Sequence, residues 1–483
     1  MNKMLKYRKI HAYVTALIIA LGVAACRVPS MVSDADHAVI PENYKNVQIK
    51  DTVNSGMVPW KKYFTDPNLN ALIDSALKNN QELNISLLEM QMSHNEIRAR
   101  KGEYLPSLGI GAGAGVEKSA RYTRNGALEA TTDIKPGEEF PEPLQDYMVG
   151  AYASWEIDVW KKLRNAKKAA VSRYLASVEG KNFVITNLIA EVANSYYELL
   201  ALDNQLEIVQ NNIVILNNAL RAVRQQKEAT MVTELAVRKF EAEVYKTKSL
   251  QFDLQQEIVE VENRINFLTG RYGQPIQRDS KGFSDLLPQA VLSGIPAQLL
   301  ENRPDVKQAE QELMAAKIDV KVAKAQFYPS LGISAGIGFQ AFNPEFLIKS
   351  PQSLLYNLAG DLMAPLVNRN AIKAMYYNAN ARQIQAVFEY EQTVLNAYID
   401  VANQLAKVNN LEQSYDLKSK QVQALSESIA ISLSLFRSAR ADYMEVLMTQ
   451  RDALEAKVEL IETKKQQMNA MVDIYHALGG GWR

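Results

Sequence analysis

Two stretches of the chain alternate between apolar and small or polar residues with the period of a β-strand. The first follows Pro106 and the second follows Pro329. Their apolar positions are Leu108, Ile110, Ala112, Ala114 and Val116 in the first stretch and Leu331, Ile333, Ala335, Ile337 and Phe339 in the second. Because successive side chains of a strand point to opposite faces, each stretch predicts a strand with one apolar face and one small or polar face.

Each of these strands is followed, after a polar loop, by a candidate partner strand. Residues 147 to 155 alternate clearly, and residues 354 to 362 do so more weakly. Alternation alone would equally fit a soluble β-sandwich. Two features favour strands that cross a bilayer: a length of about ten residues, and aromatic residues near the strand ends.

Four such strands cannot form a closed barrel within one chain. Each unpaired backbone group at a sheet edge costs several kcal/mol in lipid, and the smallest bacterial barrels have about eight strands. If the strands are in a membrane, the barrel must therefore be completed by further copies of the chain.

Between the strands, the apolar pattern changes to the period of long helices. Runs of about 161–227 and 366–437 are followed by returning helices at about 233–269 and 442–477. Apolar residues spaced by three and four predict coiled-coil packing, and a 60-residue helix reaches roughly 90 Å. The first run also carries many Asn and Gln residues. They fit either a neutral lining of a water-filled passage or an ordinary solvated exterior.

The strand motif and the order of the elements occur twice, which indicates an internal duplication. Tyr104-Leu-Pro-Ser-Leu returns as Phe327-Tyr-Pro-Ser-Leu. We therefore divide the chain into a signal peptide (1–25), an N-terminal tether (26–58), a first repeat (59–270), a linker (271–303) and a second repeat (304–483).

The first residues are typical of a lipoprotein signal. Basic residues precede the apolar run from Ala12 to Leu21, and Ala24 and Ala25 precede Cys26, which is the only cysteine. This architecture predicts cleavage before Cys26 and lipidation of its thiol; the alternative is a plain secretory signal with a chance cysteine. A single cysteine also excludes an intramolecular disulfide.

Composition argues against several other functions. The 54 basic and 54 acidic residues give no basic field to attract nucleic acid, and the four histidines do not cluster with metal-ligand spacing. Beyond the signal there is no apolar run of about 18 residues, so no transmembrane helix is expected. We expect no enzyme activity, no metal and no cofactor other than the lipid on Cys26.

Three segments resemble outer-membrane efflux lipoproteins related to TolC, the outer components of tripartite pumps of the resistance-nodulation-division class. They are Trp60 with Phe64-Thr-Asp-Pro67, the block from Trp155 to Trp160, and Ile295 to Val306 with its Arg303-Pro-Asp305 core. The resemblance implies a mainly α fold with a membrane β-barrel. Long coiled-coil helices would form a periplasmic α-barrel, and four transmembrane strands per chain would complete a twelve-stranded barrel as a trimer.

The same resemblance implies a location in the outer membrane of a Gram-negative bacterium, in contact with its lipid. The partners would be a periplasmic adaptor and an inner-membrane pump, and the cargo would be small molecules such as drugs, detergents or metal ions. Two other functions stay open, namely a channel for type I protein secretion and a lipid-anchored coiled-coil scaffold without a pore. The repeated strands of membrane length argue against the scaffold.

The resemblance also places a periplasmic gate at the two helix-return turns. The candidate gate acids are Asp442, Glu445 and Glu234, and the candidate gate partners or adaptor contacts are Arg437, Arg440 and Tyr443. A threefold axis would turn each pore-facing acid into a ring that attracts cations. Alternatively, acids in the first turn of a helix only complement its dipole. The glycine that the family usually has near Ala439 and its second acid near Met448 are absent.

Overall fold

The structure is a computed structural model that describes residues 41, 43–44, 53–288, 292–438 and 440–483, the side chain of Arg437 excepted. The predicted signal peptide and Cys26 lie outside the described residues, as does most of the predicted tether.

The described residues form ten α-helices and six β-strands. The helices are α1 (Trp60–Tyr63), α2 (Pro67–Asn79), α3 (Gln81–Glu103), α4 (Arg124–Glu129), α5 (Lys162–Glu228), α6 (Glu234–Leu268), α7 (Leu299–Asn302), α8 (Pro304–Ala325), α9 (Asn370–Arg437) and α10 (Tyr443–Ala477). The strands are β1 (Ser107–Glu117), β2 (Asp133–Lys135), β3 (Glu138–Glu139), β4 (Leu144–Ile157), β5 (Ser330–Ala341) and β6 (Leu354–Met363). The chain is therefore mainly helical, as predicted.

Four of the strands form one antiparallel sheet in the order β1-β4-β5-β6. All four were predicted from the alternating pattern, including the weaker β6. The loop between β1 and β4 was expected to be only a polar connection. It contains the short helix α4 and the β2–β3 hairpin.

The two long helices have 67 and 68 residues, and each returning helix has 35. Their bounds agree with the predicted runs within a residue, except at the start of α9. There the helix begins at Asn370 instead of about residue 366. The intervening segment contains Pro365, and Asn368 has a φ of 53°, a left-handed conformation that cannot continue into a right-handed helix.

The described residues belong to two compact units. One consists of Gln91–Leu175 and Gln311–Phe388 and contains the four-stranded sheet; the other contains the described parts of 36–90, together with Ala176–Glu310 and Glu389–Arg483. Helices α3, α5, α8 and α9 contribute residues to both units.

The larger hydrophobic core lies in the second unit. Residues of α1, α2, α5, α6 and α10 pack there, and the ring of Tyr63 stacks on that of Tyr475 at 4.0 Å. Asp66 begins α2 by accepting hydrogen bonds from the backbone N–H of Asn68 and Leu69, with Pro67 in the first turn. The Trp60–Pro67 segment recognised in the sequence therefore builds this core.

Across the described ranges, none of the helices combines the length and the apolar character needed to span a lipid bilayer.

Candidate functional site

The four-stranded sheet presents one apolar face that continues across all of its strands. In one row of directly paired residues, Ile110 lies opposite Ala151, Ala151 opposite Ile337, and Ile337 opposite Tyr356. Residues paired in this way point to the same side of a sheet. The apolar positions predicted separately in each strand therefore form a single surface, on which Ile110 is 85% exposed and Tyr356 is 78% exposed.

The opposite face carries small and polar residues. One of its rows is Gly109, Tyr152, Gly336 and Asn357. The ring of Tyr152 lies across its neighbours, because a Cβ added at Gly111 or Gly336 would be 3.3 or 3.4 Å from that ring. A larger residue at Gly111 or Gly336 would therefore require the ring to shift.

Glycine also permits a close approach of the two central strands. A Cβ added at Gly338 would lie 2.4 Å from the carbonyl oxygen of Val149 and 2.7 Å from the Cα of Gly150. No other residue fits there without moving the backbone. By contrast, a Cβ at Gly332 of the same strand would meet its nearest atom at 3.9 Å.

The two outer strands, β1 and β6, each pair on one side only among the described residues. Their second edges therefore leave backbone N–H and C=O groups available for another strand. Among the described residues, the sheet thus has an exposed apolar face and two edges that are not paired.

Two tryptophans fix the boundary between this sheet and the helices. The indole N–H of Trp155 donates to the carbonyl of Tyr104 at 3.1 Å, and that of Trp160 donates to the carbonyl of Pro329 at 2.8 Å. Trp160 also stacks on Tyr328 at 4.8 Å. The Trp155–Trp160 block thus links β4 to the residues that precede β1 and β5 in both repeats.

Asp158, between these tryptophans, starts the long helix α5. Its carboxylate accepts hydrogen bonds from the backbone N–H of Leu163 at 3.1 Å and of Arg164 at 2.9 Å, and it pairs with the Arg164 guanidinium. Burial alone would raise the pKa of Asp158. The hydrogen bonds from these donors outweigh burial and hold the pKa below its usual range.

Arg303 of the Arg-Pro-Asp core is buried and forms a bidentate ion pair with the half-buried Asp305. Arg303 Nε and Nη2 donate to the two carboxylate oxygens of Asp305 at 3.0 and 2.7 Å. The same guanidinium donates to the carbonyl of Ala477 at 3.1 Å and pairs with Asp400 at 3.3 Å. The motif therefore ties the start of α8 to α9 and to the end of α10, which is a structural role.

The two helix-return turns pack against each other through one apolar cluster, which we call the tip cluster. It contains the buried residues Leu216, Leu220, Val223, Ala236, Val237, Phe240, Val244 and Leu447, with Val232, Phe436, Tyr443 and Met444 partly buried around them. The structure thus brings the predicted gate residues of both hairpins to one place. Tyr443, a predicted partner or adaptor contact, packs into this cluster.

At the first helix-return turn, between α5 and α6, the candidate acid Glu234 is paired with basic residues of the same chain. It forms ion pairs with Lys227 and with Arg238, the latter at 2.8 Å, and Arg238 also pairs with Glu241 at 2.9 Å. The hydrogen bond from Lys227 is the main cause that holds the pKa of Glu234 below its usual value.

At the second helix-return turn, between α9 and α10, the candidate acids are exposed. Asp442 occupies the N-cap position of α10 but its carboxylate makes no capping hydrogen bond. Among the side chains that the structure describes, those of Asp442, Glu445 and Arg440 have no hydrogen-bond or ion-pair partner. Arg437, the remaining candidate, has its side chain outside the described part of the chain.

Several Asn and Gln residues of α5 serve purposes that neither reading of the sequence anticipated. The amide of Asn194 donates to Asp473 at 3.0 Å, Asn204 donates to the carbonyls of Leu200 and Ser280, and Gln205 is buried. The interpretation that these residues face a passage or bulk water is therefore wrong for Gln205, whereas Asn194 and Asn204 are half-buried. Their partners lie up to 279 residues away in the chain, so the sequence carries no local signal of the contact.

In the described part of the chain, no group of three or more His, Cys, Asp or Glu residues is placed to hold a metal ion. His476 contacts Asn187 at 2.6 Å, and burial lowers the pKa of its imidazole.

Comparison with curated proteins finds relatives that match most of the chain. The pyoverdine export outer membrane protein OpmQ of Pseudomonas aeruginosa is 28% identical over 88% of this chain and 87% of its own length. The cation efflux system protein CusC of Escherichia coli is 26% identical over 87% of this chain and 88% of its own length. The solvent efflux pump outer membrane protein SrpC of Pseudomonas putida is 27% identical, with 87% of each chain covered.

Solved structures show the same fold. A crystal structure of CusC is 24% identical and has a TM-score of 0.81, covering 94% of this chain and 100% of its own. The open state of the Neisseria gonorrhoeae MtrE outer membrane channel is also 24% identical, with a TM-score of 0.81, and covers 94% of this chain and 99% of its own.

The outer membrane efflux protein family model matches residues 72–271 and 295–480. This match covers most of the described residues and includes the Arg303-Pro-Asp305 core. The resemblance and the outer-membrane location predicted from the sequence are thereby confirmed, and the chain belongs to the outer membrane efflux protein family.

Proposed function

We propose that three copies of this chain form the exit duct of a tripartite efflux pump in the outer membrane. The observation that carries the proposal is the four-stranded sheet with one apolar face, one small and polar face and two unpaired edges. In lipid such edges must be paired, and three copies would give a closed barrel of twelve strands.

The helices support a duct that continues beyond the membrane. At about 1.5 Å per residue, the 67 residues of α5 reach roughly 100 Å. The relatives support the assignment to a pump, because they are named as a pyoverdine export protein, a cation efflux protein and a solvent efflux pump protein. The partners would be a periplasmic adaptor and an inner-membrane pump.

The assembly can be tested on detergent-extracted protein. Light scattering coupled to size exclusion should give the mass of three chains, and planar bilayers should show channels of one main conductance. Cysteines placed on the free edges, with Cys26 replaced, should form disulfides between chains when Ala112→Cys of β1 is combined with a scan along β6. A stable monomer without channel activity would refute the proposal.

For the cargo, we propose small molecules rather than proteins. The cargoes in the names of the three relatives are a pyoverdine, cations and solvents, which share no common chemistry. A common duct that leaves selection to the inner-membrane partner is consistent with that range. Deletion of the gene should raise sensitivity to some of a panel of antibiotics, detergents and metal salts; loss of a secreted protein with unchanged sensitivity would favour type I secretion instead.

For the gate, we propose that Asp442 and Glu445 line the narrow end of the pore. The structure supports this through their exposure and the lack of a compensating partner among the described side chains, whereas Glu234 is paired with Lys227 and Arg238. A threefold axis would place six carboxylates at that end, which attract cations and repel anions.

For the membrane anchor, we propose acylation of Cys26, which lies outside the described residues. Metabolic labelling with a fatty-acid analogue should label the full-length protein and not the Cys26→Ala variant. Equal labelling of both proteins would exclude Cys26 as the acylated residue. The variant should still assemble, because the strands provide a separate attachment to the membrane.

A further inference from the structure

The helix ends that adjoin the sheet carry a large excess of positive charge. The segments 98–103, 161–175, 314–325 and 369–382 contain fifteen lysines and arginines and two acids, Glu103 and Asp319, whereas the whole chain has 54 basic and 54 acidic residues. The excess is therefore local to the junction between the helices and the strands.

The four helices at this junction form a layer in the same order as the strands. Contacts between consecutive helices establish this order: His94 with Tyr174 for α3 and α5, Arg173 with Asp319 for α5 and α8, and Phe327 with Tyr376 for the end of α8 and α9. The layer therefore has two faces, as the sheet does.

A cavity of about 420 Å³ lies on one face of the layer. It is lined by residues of all four helices, among them Arg100, Ala166, Asp319 and Asn378. Four consecutive helices can line one cavity only if the layer curves around it, so the cavity lies on the concave side of the layer. The side chains that point away from this cavity are therefore on the convex side.

Five lysines lie on that convex side, and we call them the lysine face: Lys168, Lys317, Lys321, Lys324 and Lys373. With 3.6 residues per turn, Lys317, Lys321 and Lys324 are roughly 140° to 160° around α8 from Asp319. Lys168 is similarly far around α5 from Ala166, and Lys373 around α9 from Asn378.

The lysine face is not compensated by acids of this chain. Among the described residues, none of the five ammonium groups has a hydrogen-bond or ion-pair partner, and all but Lys317 are exposed. On the concave side, by contrast, Arg100 pairs with Glu96 and Glu103, and Arg173 pairs with Asp319.

The lysine face continues the apolar face of the sheet. On the opposite face the ring of Tyr152 lies against both neighbouring strands, at Gly111 and Gly336, whereas apolar side chains such as Ile110 and Tyr356 stand apart and are about four-fifths exposed. Side chains converge on the concave face of a curved sheet and diverge on its convex face, so the apolar face is convex. Trp160 and Tyr328 mark the border between strands and helices. Along the helices, Lys324 lies about 6 Å from this border, Lys168 about 12 Å and Lys317 about 16 Å.

These distances fall within the depth over which the charged surface of a membrane acts. The headgroup region extends roughly 5 to 8 Å beyond the hydrocarbon on each side, and surface charge acts over a further Debye length of about 8 Å. We propose that the lysine face binds the phosphates of anionic phospholipid headgroups in the periplasmic leaflet. The proposal rests on the proposed function, which places the sheet in the outer membrane.

The test measures which lipids stay with the protein. Full-length protein is reconstituted in vesicles of equal phosphatidylglycerol and phosphatidylcholine, gently extracted, and its bound lipids are quantified by mass spectrometry. At about 50 mM NaCl we expect at least about threefold enrichment of phosphatidylglycerol, and at about 500 mM NaCl we expect the enrichment to fall towards one. Inorganic phosphate should compete no better than chloride of the same ionic strength, because the site is a membrane surface.

A pair of matched variants assigns the enrichment to the lysine face. Replacement of Lys168, Lys321, Lys324 and Lys373 by Gln should abolish it. Replacement of four exposed lysines of the other unit, Lys62, Lys78, Lys248 and Lys281, should leave it unchanged.

Three results would overturn the inference: no enrichment in the unaltered protein, enrichment that survives high salt, or equal enrichment in both variants. If the first variant instead changes the ion selectivity of the channel, the lysines line the pore, which also overturns it. Channel recordings in neutral phosphatidylcholine separate this inference from the proposed function, since a trimeric channel without lipid preference refutes only the inference.

Discussion

The indole N–H of Trp160 donates a hydrogen bond to the carbonyl of Pro329 at 2.8 Å, across a separation of 169 residues in the chain. Pro329 begins the strand motif of the second repeat, and Trp160 ends the strand-to-helix block of the first. The two repeats are thus joined at the border of the sheet.

Trp160→Phe should keep the stacking on Tyr328 and lose this hydrogen bond. A lost hydrogen bond of this kind costs about 1 kcal/mol, so we expect a decrease of that size in the free energy of unfolding of the extracted protein. Tyr122→Phe, at a fully exposed side chain, is the control and should change nothing. An unaltered stability of Trp160→Phe would show that the bond does not contribute.

Gly338→Ala should destabilise the sheet, because the added Cβ would lie 2.4 Å from the carbonyl oxygen of Val149. Forced overpacking of this kind costs about 1 to 3 kcal/mol. Gly332→Ala changes the same strand where the nearest atom is 3.9 Å away, and it should be tolerated. The yield of assembled protein and its thermal stability measure the difference; equal behaviour of the two variants would contradict the close approach of β4 and β5.

Arg303→Met should be among the most damaging substitutions outside the sheet. It leaves the half-buried carboxylate of Asp305 without its bidentate partner, and removal of one partner of a buried ion pair costs up to about 3 to 5 kcal/mol. The double variant Arg303→Met/Asp305→Leu removes both charges and should recover part of the loss. Additive losses in the double variant would show that the two residues do not interact.

Neutralisation of Asp442 and Glu445 together, as Asp442→Asn/Glu445→Gln, should lower the cation preference of the channel in bilayer recordings. Lys227→Gln/Glu234→Gln serves as the matched control, since it removes one positive and one negative charge that pair with each other and leaves the net charge of the tip unchanged. If both variants changed the ion selectivity equally, Asp442 and Glu445 would contribute no more to selectivity than the pair of Lys227 and Glu234 does.

The first helix-return turn, between α5 and α6, should become less stable in acid. The pKa of Glu234 is lowered in the folded protein, so its ion pairs stabilise the turn at pH values above the ordinary pKa of about 4.3 and are lost as the pH falls through the lowered value. Hydrogen exchange of residues 227–238, corrected for the intrinsic effect of pH, should accelerate below about pH 4. In Glu234→Gln the exchange should be fast at every pH; a pH dependence that persists there would point to another group.

Much of the fold could be predicted because its elements depend on local periodicity. The strand period after Pro106 and Pro329 and the three-four spacing of the helices are properties of short segments. The start of α9 was misplaced because the left-handed conformation of Asn368 has no signal in that period. The short helix and hairpin between β1 and β4 were missed because they are too brief for periodicity to reveal.

The site could be predicted only in part. The Arg303-Pro-Asp305 core was recognised by resemblance, but its bonds to Asp400 and Ala477 join residues 97 and 174 positions away. The three candidate gate acids were equivalent in the sequence. The structure separates them, because Lys227 lies close to Glu234 only after the chain has turned.

By itself, then, the sequence determined the lengths and the faces of the helices and strands, since apolar spacing is set by the 3.6-residue turn and the two-residue pleat. Only the tertiary structure decided that the four apolar strand faces share one surface and that the lysines of three helices continue it. Both depend on the register of β1, β4, β5 and β6, and register is a long-range property that results from packing the whole sheet at once.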